Sequence, residues 1–258
     1  MTVTASSATP KHLPIIYAVI PALNEAPAIA GVVVRLSASV GDICSQIVVV
    51  DNGSTDGTGE IAMAAGALIV REERRGYGSA CLAGVLAATD ADIIVLLDGD
   101  AADDPSDIRA LLAPLLDGKA DLVVGSRTLG SRAAGSMTPQ QVMGNRLAAS
   151  LMRRFYGIDV TDLGPLRAIR RSDLLALDMR EMTYGWSVEL MVKAARAGYR
   201  YAEIPASYER RIGVSKVGGT LRGSVRAGWS ILSTTFRYRR WAPPHHHQTA
   251  PTVVVEAR

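Results

Sequence analysis

The sequence predicts an α/β protein with a mostly parallel central sheet flanked by helices, and three observations carry that expectation. Apolar runs at Ile15 to Ile20, Ile47 to Val50, Ala67 to Val70 and Ile93 to Leu97 recur with a segment of helical length between each pair. Each run is continuous rather than alternating, as expected of a strand covered on both faces. Polar or glycine-rich clusters follow the runs: Asn24-Glu25, Asp51, Gly76 to Gly78, and Asp98 with Asp100. Strands that alternate with helices wind into a parallel sheet, and ligands of such sheets bind beyond the carboxyl ends of the strands.

In chain order, residues 1–13 read as a loose tail rich in Ser, Thr and Ala. The first strand, Ile15 to Ile20, exits through Pro21-Ala22-Leu23-Asn24-Glu25-Ala26-Pro27 into a helix expected from Ala28 to Ser39. Gln46 to Val50 is the second strand. The turn formers from Asp51 to Thr58 that follow it can cap a helix from Gly59 to Ala65. Ala67 to Val70 is the third strand, Gly76-Tyr77-Gly78-Ser79-Ala80 opens a helix through Ala88, and the fourth strand ends at Asp98-Gly99-Asp100. Asp104-Pro105-Ser106 starts a helix to Leu116, and a strand from Asp121 delivers Arg127 to its end. Thr128 to Pro139 is a Gly/Ser-rich loop containing Arg132, long enough to expect mobility. Gln140 to Tyr156 reads as a helix, Thr161 to Arg171 turns back into a short strand, Trp186 to Ala197 is helical, and Tyr201 to Pro205 is a strand. A basic loop from Tyr208 to Gly219 closes a main domain expected over 14–220, followed by a basic amphipathic helix over 221–242 and a disordered tail over 243–258.

Composition narrows the class. A hydrophobic content of 48% over 258 residues is ample for a core, and a net charge of only +3 gives no general signal for nucleic acid. Cys44 and Cys81 make neither a disulfide framework nor a zinc spacing, which suits a reducing, cytoplasmic setting. The N-terminus lacks the pattern of a signal peptide, and no window reaches the roughly 18 apolar residues of a membrane span. The chain is expected to be cytoplasmic, its C-terminal amphipathic helix either packing on its own domain or making peripheral contact at the cytoplasmic membrane face. Its arginines and Trp229, Phe236 and Trp241 suit an anionic lipid surface.

Asp98 and Asp100 carry the most chemistry. Read as the end of a strand, two residues apart, they point to one side, with Gly99 keeping the backbone slim between them. Paired carboxylates repel, and a hard divalent ion such as Mg²⁺ or Mn²⁺, which also takes the oxygens of a phosphorylated ligand, relieves that repulsion. With Asp51 on a neighbouring strand end, a helix N-terminus beside it and arginine-rich loops nearby, the rim suits a nucleoside diphosphate. Nucleotidyl transfer is disfavoured because Asn24-Glu25, not a glycine-rich loop, follows strand one.

Pro21-Ala22-Leu23-Asn24-Glu25, Val48 to Thr58 and Asp98-Gly99-Asp100, taken as a set, resemble glycosyltransferase family 2, the inverting nucleotide-sugar enzymes of the A-type glycosyltransferase fold. Within that family, Gly125-Ser126-Arg127, Asn145 to Ser150, Asp162 to Arg171 and Arg211 to Lys216 are similar to the polyprenyl-phosphate (dolichyl-phosphate) mannosyl- and glucosyltransferases. The resemblance implies a Rossmann-like nucleotide-diphospho-sugar transferase fold. It also implies transfer of a hexose from a UDP- or GDP-sugar to a polyprenyl phosphate with Mg²⁺ or Mn²⁺. It assigns Pro21, Leu23, Asn24, Glu25 and Asp51 to the nucleotide, Asp51 reading the base, with Gly76 and Gly78 letting the nucleoside approach. It assigns Asp98 and Asp100 to the metal, with Asp100 at the reaction centre. Arg127, Arg146 and Ser150 fall to the acceptor phosphate, while Arg210, Arg211 and Lys216 lie in a flexible basic loop near the phosphates. Ala102 stands where the mannosyltransferase pattern often offers glutamine, so Asp103 or water must supply any third ligand. An ionised phosphate acceptor needs no general base, whereas a hydroxyl acceptor does. Asp162, and behind it Glu189, are the available carboxylates. A soluble or lipid hydroxyl acceptor is the alternative reading.

Overall fold

The computed structural model describes residues 13–213, 229 and 232–243. β1 (Ile16–Ala22), α1 (Ala26–Val40), β2 (Gln46–Asp51), α2 (Thr58–Ala64), β3 (Leu68–Arg71), α3 (Tyr77–Ala87) and β4 (Ile93–Leu96) alternate strand with helix. They are followed by α4 (Ile108–Leu116), β5 (Leu122–Ser126), α5 (Pro139–Tyr156), β6 (Arg167–Arg170), α6 (Arg171–Ala176), α7 (Trp186–Arg196) and β7 (Tyr201–Pro205). The seven strands form one sheet in the order β3-β2-β1-β4-β6-β5-β7. Every described pairing is parallel except those of β6, which runs against β4 and β5.

The continuous apolar runs are explained by cover on both faces. Val48 and Val50 of β2 pack with Cys81 and Val85 of α3 and with the α7 side, while Ile47 and Val49 pack with Ile29, Val33 and Leu36 of α1. α3 lies close on β1 because position 84 is glycine, where a Cβ would meet Val19 Cγ1 at 2.3 Å.

Helix starts follow local chemistry. Pro27 lies in the first turn of α1, where a missing N–H costs nothing, so the helix begins two residues before its expected start at Ala28. α5 begins with a capping box: Thr138 Oγ1 accepts from the Gln141 N–H at 3.2 Å, and Gln141 Oε1 accepts from the Thr138 N–H at 2.8 Å.

β4 corrects the strand reading of the acidic pair. Its last rung is the Leu97 N–H to Val19 O bond at 3.3 Å, and Asp98-Gly99-Asp100 form a turn beyond it rather than the strand end. Gly99 packs into the sheet edge, where a Cβ would stand 3.3 Å from Ile20 and 3.4 Å from Ile29, and Ala101 completes the reversal at φ 64°. The expected C-terminal helix lies in large part outside the described residues. Its described end is helical over 232–237, passes into a 3₁₀ turn at Tyr238–Arg240, and docks on α7, with the Lys193 ammonium 4.7 Å from the Tyr238 ring and 5.1 Å from that of Trp241. Among the described residues no helix is long and apolar enough to cross a membrane.

Candidate active site

The carboxyl ends of β2, β1 and β4 share one edge. β1 lies between the other two, with Ala22 in register with Asp51 and Val19 with Leu96. Two strand spacings, about 10 Å, therefore separate the chain at Asp51 from the chain entering the acidic turn.

The two loops after β1 and β2 are stitched to each other. The Asn24 N–H donates to Ser54 Oγ (3.0 Å), the Glu25 N–H to Thr58 Oγ1 (2.9 Å) and the Ala26 N–H to Asp56 Oδ2 (3.1 Å). Asn24, at φ 51°, accepts the Thr55 N–H at 2.8 Å through its own side chain. Pro21 and Leu23, half-buried, sit at the root of this loop. Asp51 Oδ1 accepts the Ser54 N–H at 2.8 Å, and Gly59 in the first turn of α2 makes room for the carboxylate, since a Cβ there would stand 2.9 Å from Asp51 Oδ2.

Asn52, buried beside Asp51, was expected only as a turn residue. Its Nδ2 donates to the carbonyls of Glu72 (2.9 Å) and Arg74 (2.8 Å), and its Oδ1 accepts the Gly76 N–H at 2.7 Å. It thereby ties the β3–α3 loop to the loop that carries Asp51. Gly76 and Gly78 admit a close approach of the chain to itself. A Cβ on Gly76 would lie 2.0 Å from Met182 O, and one on Gly78 would lie 2.2 Å from Glu181 O. The backbone they admit is the chain's own 181–182 segment, because α3 starts against it.

At the acidic turn, Asp100 Oδ1 accepts the Ala102 N–H at 3.0 Å, and Asp100 Oδ2 pairs with Arg211 at 3.1 Å. The Ile212 N–H donates to Asp100 O and the Glu209 N–H to Ala102 O, both at 2.8 Å, so the 209–212 segment lies over the turn. Asp103, the alternative third ligand, turns its carboxylate back to the Asp98 N–H at 3.2 Å. Burial, then the nearby Asp100, raises the Asp98 carboxyl to about 7 against the opposing pull of Arg211, Arg127 and a Tyr77 hydrogen bond. Burial and Asp98 likewise push Asp103 well above the ordinary carboxylate range. Hard oxygen donors that resist sharing negative charge fit a divalent cation. Among the described residues no three such side chains converge as a ready-made metal cage. A cation at Asp98 and Asp100 would therefore complete its shell with water and ligand phosphate oxygens, as Mg²⁺ commonly does.

Arg127 follows β5 and is held firmly. Its Nε and Nη2 donate to Asp162 Oδ2 and Oδ1, each at 2.7 Å, its backbone N–H donates to Oδ2 at 2.8 Å, and its guanidinium lies 4.9 Å from the Tyr208 ring. Burial alone would raise Asp162, but the Arg127 bonds outweigh it and hold the carboxyl below its usual range. Glu203 holds the same loop by accepting the N–H groups of Thr161 (3.0 Å) and Asp162 (3.1 Å). Asp162 is thus engaged as a clamp on Arg127. Glu189 is also closed off: it is fully buried, paired with Lys193 at 2.7 Å, and accepts the N–H groups of Arg180 and Glu181.

The remaining expected site residues divide. Arg211 joins the acidic turn, whereas the exposed Arg210 donates to Ala134 O at 2.8 Å and leans toward the β5–α5 loop. Arg146 and Ser150 are exposed on α5, and their neighbour Asn145 ties that helix to the clamp loop by donating to Thr161 O (3.2 Å) and accepting from the Leu163 N–H (2.9 Å). Lys216 lies outside the described residues. Arg167, fully buried and spent on the carbonyls of Gly164, Leu163 and Ser187, secures the turn after Asp162; it lies in the Asp162 to Arg171 stretch, which by itself gave it no role.

A mixed, mainly parallel sheet between helix layers, with its loops converging on a two-aspartate turn, is an A-type glycosyltransferase architecture. Residues 17–177 match the model for "Glycosyl transferase family 2", and the chain belongs to that family. It is similar to an uncharacterized glycosyltransferase of Mycobacterium tuberculosis, 40% identical over 220 residues that cover 83% of this chain and 96% of that one. It is also similar to an undecaprenyl-phosphate mannosyltransferase of Micrococcus luteus, 31% identical over 80% of this chain and 89% of that one. Among solved structures, glucosyl-3-phosphoglycerate synthase from Mycobacterium tuberculosis, in complex with Mn²⁺, UDP and phosphoglyceric acid, superposes with a TM-score of 0.70 at 25% identity, covering 89% of this chain and 80% of that one. The protein is a glycosyltransferase of the hexosyltransferase kind.

Proposed function

We propose that the enzyme moves a hexose from a nucleotide-diphospho-sugar to the phosphate of a polyprenyl phosphate, with inversion at the anomeric carbon. The observation that carries the reading is the shared edge: Asp51, the Asp98–Asp100 turn and the Arg211 guanidinium lie within the span of one sugar nucleotide. Asp51 accepts from the base, and the stitched Asn24-Glu25 and Ser54–Thr58 loops cradle the nucleoside. A divalent ion at Asp98 and Asp100 would supply positive charge to the departing diphosphate. An acceptor phosphate oxygen attacks the anomeric carbon as the bond to the β-phosphate oxygen breaks, and the diphosphate leaves with the electron pair. Arg127, fixed in orientation by Asp162, and Arg146 with Ser150 offer cationic and hydroxyl donors to the acceptor phosphate. Asp162 held below its usual range is a weak base, which suits an acceptor already ionised near neutral pH.

The likeness to glucosyl-3-phosphoglycerate synthase favours a second reading, a soluble phosphorylated acceptor. The test is a panel of UDP- and GDP-sugars offered with short polyprenyl phosphates or with phosphoglycerate, with and without chelator, and read by mass spectrometry. A chelator-sensitive polyprenyl-phosphate hexose is the expected product. Product on phosphoglycerate alone would overturn the lipid assignment.

A further inference from the structure

We infer that the buried Glu189–Lys193 pair on α7, joined by Tyr238 and Trp241, is a positioning device for the donor pocket, because it fixes the 178–182 segment on which α3 begins. The inference rests on the reading above that the edge from Asp51 to Asp100 holds a sugar nucleotide.

The two charged side chains are 0% exposed and 2.7 Å apart. Glu189 accepts the N–H groups of Arg180 at 2.9 Å and Glu181 at 2.6 Å, and the Tyr238 hydroxyl also donates to its carboxylate. Lys193 Nζ donates to Asp178 O at 2.6 Å, at the residue where the chain reverses with φ 48°. Two aromatic faces adjoin the ammonium, that of Tyr238 at 4.7 Å and that of Trp241 at 5.1 Å. Trp241 is anchored in turn by the Arg196 Nε, which donates to its carbonyl at 3.1 Å, and Arg237 pairs with Glu181. Packing alone could be met by apolar side chains of similar volume, since the attraction of a buried pair roughly offsets its desolvation. What the charges add is direction: they set the backbone at residues 178, 180 and 181.

The segment so fixed supplies the start of α3. Gly76, the N-cap of that helix, has no side chain to offer it, and the Ser79 N–H donates instead to Met182 O at 3.1 Å. The Gly76 N–H goes to Asn52 Oδ1 at 2.7 Å, next to Asp51. Tyr77, between them, donates to the Asp98 carboxylate and stands edge-on to Trp186, the first residue of α7, with ring centroids 6.4 Å apart. The first turn of α3 is therefore tied both to the base-reading loop and to the 178–182 segment, and it carries a hydroxyl that orients one carboxylate of the cation site. Displacing that turn would move a wall of the donor pocket without touching Arg127 or α5.

The experiment is titration calorimetry of the full chain with Mn²⁺ and UDP, and with Mn²⁺ and GDP, beside steady-state kinetics in donor and in acceptor. Two variants are compared with the parent. Lys193→Met with Glu189→Gln leaves no buried charge, so the fold is kept while one carbonyl oxygen must serve two N–H groups. Trp241→Leu leaves the ion pair and removes only an aromatic face. The dissociation constant of the nucleotide that the parent binds should rise about tenfold in the double variant and about threefold in Trp241→Leu. The donor KM should rise alike, while the acceptor KM and the kcat at saturating donor stay within about twofold of the parent. A pair that only stabilises the fold would lower the melting temperature and leave the donor constants where they are. That result, or an equal loss of donor and acceptor affinity, would overturn the proposal. Should the double variant not fold, Trp241→Leu decides by the same criterion. A parent that binds neither nucleotide with Mn²⁺ removes the sugar-nucleotide reading itself, whereas a parent and variants that bind equally well remove the positioning role alone.

Discussion

Replacing Arg127 or Asp162 separates a clamp from a catalytic base. The Asp162 side chain is 0% exposed and that of Arg127 13%. Arg127→Ala deletes two charge-assisted bonds and strands a buried carboxylate, a loss of roughly 3–5 kcal/mol. For a chain of this size that corresponds to a fall in melting temperature of roughly 10 °C. Asp162→Asn keeps the shape and removes the charge, so it should cost less, and the double variant Arg127→Ala with Asp162→Asn should lose less than the sum of the two by roughly 1–3 kcal/mol. Because the folded-state pKa of Asp162 is depressed, its contribution is present above the unfolded value near 3.8 and lost as pH falls below it. Asp162→Asn should therefore flatten the acid limb of the stability curve. Chemical denaturation from pH 3 to 8 and transfer kinetics on the same variants form the assay. A clamp predicts that the pH profile of kcat survives Asp162→Asn. A variant as stable as the parent, with kcat down by about 10²-fold or more and one limb of that profile gone, would show a general base and refute the reasoning.

Other expectations follow from the same edge. Gly78→Ala would set a Cβ 2.2 Å from Glu181 O and 2.7 Å from Trp186 Cδ1, so α3 must shift; urea unfolding should register a loss of about 1–3 kcal/mol, greater than that for a substitution at Gly31, which has open space. Gly59→Ala should press on the Asp51 carboxylate 2.9 Å away and raise the KM for the donor with little change in melting temperature. The Asp98 carboxyl is raised by burial and then by Asp100, so the metal-free fold is more stable as pH falls through about 7 and carries the full penalty above it. Asp98→Asn should raise the melting temperature of chelator-treated protein at pH 8 while abolishing the additional rise produced by Mn²⁺ with UDP. A metal-induced rise that survives in the variant would remove Asp98 from the cation site.

Much of the fold was legible because its signals are local. Continuous apolar runs identify strands covered on both faces, and a parallel connection returns each strand with its carboxyl end to the same edge. The sequence therefore places Asp51 and the acidic turn at one mouth. The details of that mouth were not legible in the same way. Asp98 and Asp100 looked like the end of a strand, but the pairing with β1 stops at Leu97, and Gly99 bends the chain into the sheet edge. At Gly76 and Gly78 the sequence shows that a slim backbone is needed but not that the atoms a side chain would strike belong to residues 181 and 182.

By itself, then, the sequence determined the strand and helix alternation, the family, and the edge on which the carboxylates gather, because apolar periodicity and turn chemistry act over a few neighbouring residues. Only the tertiary structure decided that β6 inserts antiparallel between β4 and β5, that Arg211 meets Asp100, and that Asp162 is committed to Arg127. An ion pair forms between whichever opposite charges the packed backbone brings within a few ångströms in a water-poor site, and separation along the chain carries no record of that distance.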